Sequence, residues 1–291
     1  MSDLIAQSLF SGLLAGAYYA LIAAGLALVF GTMRVINLAH GELVLLAGYV
    51  GYTAESRFGL DPLAALPLAI AIVGLASIGV YGLVNRIKTD RELNSLILTF
   101  GIAVILTNAT SMIWSADIRS TAVSWYHDAV IFQDTLFAMQ AELVFAAIGL
   151  ILVGLVWWWL EKSWYGRAVR AVASNRDAAK LMGVDPRFTE LLSFAVSGLL
   201  AATAGIAIYT GKVIQPSLGY NLTVKAFVIT VLAGMGSVPG VLLGAILLGV
   251  VESLTVTLGS SALQELAGMV LFLVVLLVMP SGLFGRRRRR G

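Results

Sequence analysis

Apolar runs of about 20 residues, separated by short polar stretches, recur along the whole chain and constrain its fold more than any other feature. Of the 291 residues, 59% are hydrophobic and 12% are charged, whereas soluble domains carry about 25% charged residues. The pattern predicts an all-α, polytopic membrane bundle of about eight or nine transmembrane helices. We expect a single transmembrane domain over residues 1–291.

Composition argues against several kinds of site. The chain has no cysteine and two histidines, so disulfides and Cys-ligated metals are excluded, and we expect no metal, no cofactor and no catalytic residues. The net charge of +3 does not indicate nucleic-acid binding, because five positive charges form the run Arg286–Arg290 directly after an apolar span. That placement is typical of an anchor that faces anionic membrane lipid on the cytoplasmic side.

The first apolar span, from about Leu4 to Phe30, contains two glycines four residues apart, Gly12 and Gly16. Such a small-residue face lets another helix approach closely. Dimerisation is one interpretation, but in a bundle of this size we expect packing within the chain.

Residues 161–190 form the longest polar stretch with helix signals, and it holds six of the nineteen Lys and Arg residues. Ser174 with Asp177 has the pattern of a capping box in which Asp replaces Glu. Gly183 and Pro186 predict a helix end. We expect a cytoplasmic helix of about two turns that docks a soluble protein. The alternative is a solvated basic loop that only fixes topology.

Four polar residues, Arg34, Asn37, His40 and Glu42, interrupt the apolar pattern after the first span. The uncharged run that follows is short, so a helix beginning at Asn37 would cross the bilayer with little length to spare. This predicts a short or broken helix whose N-terminus lies inside the protein, as at transporter pathways. The alternative is a cytoplasmic turn, with Asn37 as N-cap and Glu42 near the positive end of the helix.

A second break is predicted at Gly234–Gly240, since Gly-Met-Gly-Ser-Val-Pro-Gly cannot form a regular helix. Gly236, Gly240 and Gly244 lie four residues apart and predict a smooth face on the following helix. The residues after Gly41 faintly resemble those after Gly240, one in each half of the chain. Paired breaks of this kind are the pattern of an inverted-repeat transporter with its pathway between the halves.

The distribution of basic residues predicts orientation. The positive-inside rule assigns Arg34, residues 86–91, residues 162–187 and the C-terminal Arg run to the cytoplasm. Counting then gives nine crossings with the N-terminus outside and the C-terminus inside. The count falls to eight or seven if residues 225–240 are re-entrant.

Three stretches resemble the permeases of bacterial high-affinity branched-chain amino acid ABC importers, the LivH-like family. They are Gly25–Glu42, Gly166–Gly183 and Lys225–Gly240, and the resemblance covers nearly the whole length. Asp177-Ala-Ala-x-x-x-Gly183 is similar to the Glu-Ala-Ala-x-x-x-Gly coupling loop of ABC import permeases, with Asp for Glu. That loop docks into the ATPase subunits.

The resemblance implies a multi-pass inner-membrane permease working with two ATP-binding subunits, a second related permease and a periplasmic solute-binding protein. The sequence lacks a Gly-x-x-x-x-Gly-Lys-Ser/Thr phosphate loop, so ATP hydrolysis is expected in the partners. Leu, Ile and Val are the implied substrates, and urea, short amides or other amino acids are alternatives within the family.

Two alternatives from other classes stay open. An ion- or proton-coupled secondary transporter or channel would use Glu42, His40 or Glu252. An intramembrane enzyme would have to use His40 with Glu42, and no second His or Asp cluster completes a metal site there.

The candidate residues form two groups. In the coupling helix, Ala178 and Ala179 are small enough to sit deep against a partner, and Arg176 and Lys180 could meet its acidic residues. The candidate pathway or gating residues are Arg34, Asn37, His40, Glu42, Gly236, Gly240 and Glu252. The candidate ATPase-coupling residues are Arg167, Arg170, Ser174, Asn175, Asp177, Ala178, Ala179 and Gly183.

Overall fold

The chain folds into a bundle of α-helices with one short β-hairpin. The computed structural model describes residues 1–132, 135–234, 236–279 and 282–283. The run Arg286–Arg290 lies outside these residues, so its contact with lipid stays a prediction. The elements are α1 Ser2–Met33, α2 His40–Phe58, α3 Leu66–Val84, α4 Arg91–Trp114, β1 Ala129–Phe132, β2 Leu136–Met139, α5 Gln140–Lys162, α6 Trp164–Ser174, α7 Arg176–Leu181, α8 Pro186–Gly211, α9 Leu218–Ala233, α10 Val238–Leu258 and α11 Gln264–Val278.

Seven helical segments among the described residues are long and apolar enough to cross a membrane. They are α1, α3, α4, α5, α8, α10, and α11 extended back to Ser261. The shorter helices α2, of 19 residues, and α9, of 16 residues, pack among them. The predicted all-α, polytopic membrane bundle is confirmed.

Helix α1 lies at the centre, and its small-residue face packs inside the bundle as expected. A Cβ atom at Gly12 would lie 2.6 Å from Val250 Cα, and one at Gly16 would lie 2.6 Å from Ile246 Cα. Both contacts are with α10, so only glycine lets the two backbones approach to this distance.

The two ends of the bundle differ in chemistry. At the end we call the hairpin end, the first turns of α1 meet the β-hairpin through the bond from Gln7 Nε2 to the Phe137 carbonyl, 2.8 Å long. The C-termini of α2 and α8 meet there through Tyr209 and Glu55, 2.8 Å apart. The opposite end carries α6 and α7 with their Arg and Lys residues, and we call it the basic end.

Helix α2 begins inside the bundle, as predicted, but its start is His40 rather than Asn37. Helix α1 ends at Met33, and Arg34 reverses the chain in a left-handed conformation with φ 56°. Asn37 lies in the link, where its Oδ1 accepts a bond from Ala39 N at 3.1 Å. This bond stays within the link, and Ala39 holds the N-cap position of the helix, so Asn37 is not the N-cap.

The second break is shorter than expected. Helix α9 continues to Ala233, and helix α10 begins at Val238, with the Ser237 hydroxyl accepting a bond from Gly240 N at 3.2 Å. Gly236, at φ 92°, therefore precedes α10 and is not part of its face. The predicted smooth face over Gly236, Gly240 and Gly244 is wrong for its first member. Met235, inside the predicted break, lies outside the described residues.

The internal correspondence also differs from the one the sequence suggests. Helices α1 and α8 run antiparallel, since Thr32 bonds Ser193 at 2.9 Å and Tyr18 lies beside Gly211. Each is followed by a short link and then by a short helix, α2 or α9, and these two meet at Gly41. The counterpart of the first break is therefore residues 212–217 rather than Gly234–Gly240.

Candidate functional site

The basic end carries two capped helices where the sequence predicts one. Helix α6 is capped by Ser163, whose hydroxyl accepts from Gly166 N at 3.0 Å. Helix α7 is capped by Asn175, whose Oδ1 accepts from Asp177 N at 3.1 Å and from Ala178 N at 3.0 Å. Ser174 is the last residue of α6, so its predicted capping box with Asp177 is wrong. An N-cap needs extended backbone, and Asn175, with φ −154° and ψ 110°, is the residue that provides it.

The end of α7 agrees with the sequence. Gly183 has φ 82°, a conformation that costs any residue with a Cβ. Pro186 does more than end a helix, because it is the first residue of α8 and the Asp185 side chain caps that helix at Arg187 N, 2.9 Å away.

Helix α7 presents an apolar tip to its surroundings. Leu181 is 89% exposed and Met182 is 84% exposed, and both adjoin Gly183. Ala178 is also exposed, but Ala179 is buried against the chain's own helices. Of the two alanines predicted to meet a partner, only Ala178 is available. The tip could have been predicted from the sequence, because two apolar residues stand in a basic stretch directly before a helix-ending glycine.

A buried carboxylate holds α7 in place. Glu190 of α8 accepts from Arg91 Nη2 at 3.1 Å and from Arg176 Nε at 2.8 Å. The bond with Glu190 raises the pKa of Arg176 above its ordinary value. Arg176 is paired within the chain through its Nε, and its contact with acidic residues of a partner stays a prediction. Lys180 is exposed, so its contact with a partner stays a prediction.

This carboxylate provides a first test. We expect Glu190→Gln to lower the free energy of unfolding by about 1–3 kcal/mol, because two charge-assisted bonds weaken while both arginines remain partly hydrated. The matched control is Glu161→Gln, which removes the exposed pair with Arg170 at 3.7 Å and should cost about 0.5 kcal/mol or less. Thermal unfolding of the purified variants measures both, and equal stability would show that Glu190 does not hold α7.

Two groups of sequence-predicted residues meet in one cleft at the basic end. The cleft has a volume of about 940 Å³ and is lined by Arg34 and Gly236, from the pathway group, and by Arg170 and Ser174, from the coupling group. Arg170 is exposed and lies 3.7 Å from Glu161, and Arg167, also exposed, donates to the Lys162 carbonyl at 3.3 Å. The candidate pathway residues and the candidate coupling residues, which are separate in the sequence, therefore lie next to each other in this cleft.

The other polar residues of the first break do not form one cluster with Arg34. Asn37, His40 and Glu42 are buried, whereas Arg34 is exposed. His40 Nε2 lies 2.8 Å from the Ile22 carbonyl of α1, in the middle of that helix. Each side chain therefore contacts a different part of the bundle.

Glu42 lies between the starts of two helices. It is the third residue of α2, and a Cβ at Gly219, in the first turn of α9, would overlap its carboxylate. Both helix N-termini carry a partial positive charge, which favours a negative group at this place. Glu42 Oε2 has no hydrogen-bond partner among the described residues. Gly219 was missed by sequence reasoning because its role depends on a contact between distant segments.

Glu252 belongs to a separate network toward the hairpin end. Its Oε2 accepts from Tyr19 Oη at 2.7 Å, from Lys225 Nζ at 2.8 Å and from Gln264 Nε2 at 3.0 Å. The carboxylate is therefore paired rather than free. Gly240 lies in the first turn of α10, three turns before it. Within the described part of the chain, no group of three or more His, Asp or Glu side chains could hold a metal ion.

Comparisons with known proteins identify the relatives of this chain. Residues 8–279 match the family described as branched-chain amino acid transport system, permease component. The permease LivH of a high-affinity branched-chain amino acid transport system from Salmonella typhimurium is 31% identical, with 96% of this chain and 95% of that protein aligned. BraD from Pseudomonas aeruginosa is 30% identical over the same shares. The fructose import permease FruF from Bifidobacterium longum is 28% identical, with 95% of this chain and 78% of that protein aligned.

The match extends over nearly the whole chain, and the structure is a helical bundle in which the short helices α2 and α9 pack among the long ones. Together these findings define the protein's family. The chain belongs to the family of permease components of branched-chain amino acid transport systems.

Proposed function

We propose that this chain is the membrane-spanning permease subunit of an ABC importer that translocates branched-chain amino acids across the inner membrane. Two ATP-binding subunits, a second related permease and a periplasmic solute-binding protein complete the importer. The relatives LivH and BraD, which are permeases of branched-chain amino acid transport systems, support the substrate class. The chain itself supplies the pathway and the coupling surface, and the partners hydrolyse ATP.

The exposed tip of α7 is the observation that carries the coupling role. Leu181 and Met182 are 89% and 84% exposed on a helix that Glu190 ties to the bundle. Large apolar side chains on a rigidly held helix are typical anchor residues, which insert into a pocket on a partner protein. The positive-inside rule puts this end in the cytoplasm, where ATP is available.

The pathway role of the first break supports a second test. Glu42 is buried between the starts of α2 and α9, and its charge is favoured by both helix N-termini. We expect Glu42→Gln, which keeps the shape and removes the charge, to reduce uptake about tenfold while the importer still assembles. The measurement pairs leucine uptake with co-purification of all subunits. Normal uptake by the assembled variant would limit Glu42 to a structural role.

The substrate class is tested by uptake in cells that lack this chain and in cells that carry it. Labelled leucine, fructose, a short amide and urea are compared at equal concentration. We expect uptake of leucine, and not of the other three compounds, to depend on the chain. Chain-dependent uptake of fructose without leucine would move the protein to the substrate class of the FruF relative.

A further inference from the structure

Another cavity lies at the hairpin end, away from the basic-end cleft. Its volume is about 230 Å³, and α1, α9, the link after α8 and the start of α11 enclose it. We call it the hairpin-end pocket. Its lining residues are Tyr18, Tyr19, Ile22, Ile208, Lys212, Val213, Leu218, Asn221, Leu222, Lys225, Gln264 and Glu265.

Two lysines and one tyrosine form one wall of this pocket. Lys225 Nζ lies 4.8 Å from the centroid of the Tyr19 ring, and Lys212 Nζ lies 5.6 Å from the same centroid. Lys225 is neutralised by Glu252, at 2.8 Å. Lys212 forms no ion pair within the described part of the chain, so one positive charge is left over for a ligand.

The pocket also carries an acidic group. Glu265 lines it and accepts a long hydrogen bond, 3.4 Å, from Asn221 Nδ2. An amide neutralises no charge, so this carboxylate keeps its attraction for a cation. The pocket therefore has an available positive group and an available negative group.

The rest of the wall is apolar. Ile22, Ile208 and Leu222 line it together with the two charged groups. A small pocket with a cation, an anion and branched aliphatic walls is complementary to an α-amino acid with an aliphatic side chain. A neutral sugar would pair with neither of the two charged groups, so it is less complementary to this pocket.

We propose that the hairpin-end pocket receives a zwitterionic aliphatic amino acid, with Lys212 binding its carboxylate and Glu265 its ammonium group. This inference rests on the proposed function and assigns its substrate a first site in the permease. The hydrogen-bonded network of Lys225, Glu252 and Tyr19 fixes the wall that contains the two lysines. Lys212 is not part of this network.

Charge-removing variants test the site. In the reconstituted importer, Lys212→Met and Glu265→Gln are each expected to lower leucine uptake at least fivefold, while Lys212→Arg keeps at least half of it. Arg57→Met is the matched control, since it removes an exposed positive charge at the same end outside the pocket. Co-purification of the ATP-binding subunits is expected to be unchanged in all four variants.

A binding readout separates a substrate site from a structural one. A diazirine-bearing leucine, supplied to the wild-type importer and photolysed, is expected to label peptides containing Ile22 or Leu222. Leucine is expected to compete with this labelling, and 4-methylpentanol, which lacks both charged groups, is not. Labelling confined to other segments, or normal uptake by both Lys212→Met and Glu265→Gln, would overturn the site. If wild-type uptake of leucine is absent altogether, the proposed function fails instead.

Discussion

Placing a carboxylate at the tip of α7, by Leu181→Asp or Met182→Asp, is expected to reduce both binding of the ATP-binding subunits and leucine uptake about tenfold or more. Both side chains are almost fully exposed in the permease, so the substitutions leave its own packing intact. A carboxylate buried at an apolar contact without a partner costs about 1–3 kcal/mol or more. The effect is measured by pull-down of the ATP-binding subunits and by uptake in the same preparation.

The control for the tip is Lys162→Asp. Lys162 is also exposed at the basic end, and the substitution introduces the same side chain outside α7. We expect it to retain subunit binding within about twofold. If the Leu181 and Met182 variants behave like this control, the basic end only fixes topology.

A methyl group at Gly205 is expected to produce the second large effect, a loss of stability in the membrane bundle itself. A Cβ there would overlap the Val44 carbonyl and would lie 2.6 Å from Ala47 Cβ and 2.9 Å from Gly48 N. Helix α8 would have to separate from α2, and overpacking of this kind costs about 1–3 kcal/mol. We expect Gly205→Ala to lower the apparent Tm of the purified permease by about 5 °C or more.

Gly154→Ala is the matched control for Gly205. Gly154 is also a mid-helix glycine, but nothing lies within 4 Å of a Cβ atom built on it. Alanine favours a helix over glycine by about 1 kcal/mol, so this variant should be as stable as the wild type or more stable. Equal Tm values for the two variants would contradict the packing of α2 on α8.

The sequence predicts well what depends on local chemistry. Hydropathy alone predicts the membrane bundle. An apolar run of about 20 residues is long enough to cross a bilayer, and a helix is one of the few structures that satisfy the backbone hydrogen bonds there. Gly183 correctly marks the end of α7 because a residue in the left-handed conformation acts within one turn of the helix. The start of α2 inside the protein was also recognisable, because polar residues there shorten the apolar run.

Contacts between distant segments limited the prediction. The pairing of Arg176 with Glu190 has no local signal in the sequence, because the fold brings the carboxylate within 2.8 Å of Arg176 Nε. Ala178 and Ala179 are equivalent in composition, and only packing decides that Ala179 is buried. Gly205 and Gly219 give no local signal, since their neighbours, α2 and Glu42, come from the other half of the chain.

Cap positions show a subtler limit. Ser174 and Asn175 are both good N-cap residues, and the choice depends on how far α6 extends. Because α6 extends through Ser174, the cap of α7 falls on Asn175. Helix ends are therefore less predictable than the existence of a helix.

We propose that this permease couples ATP hydrolysis by its partners to amino acid import, and transport by the reconstituted importer is the direct test. The importer is placed in proteoliposomes with ATP inside and labelled leucine with the solute-binding protein outside, and ionophores collapse all ion gradients. We predict leucine accumulation that requires ATP, persists with the ionophores and is lost with Leu181→Asp. Accumulation without ATP, driven by an imposed proton or sodium gradient, would contradict the account and identify an ion-coupled transporter.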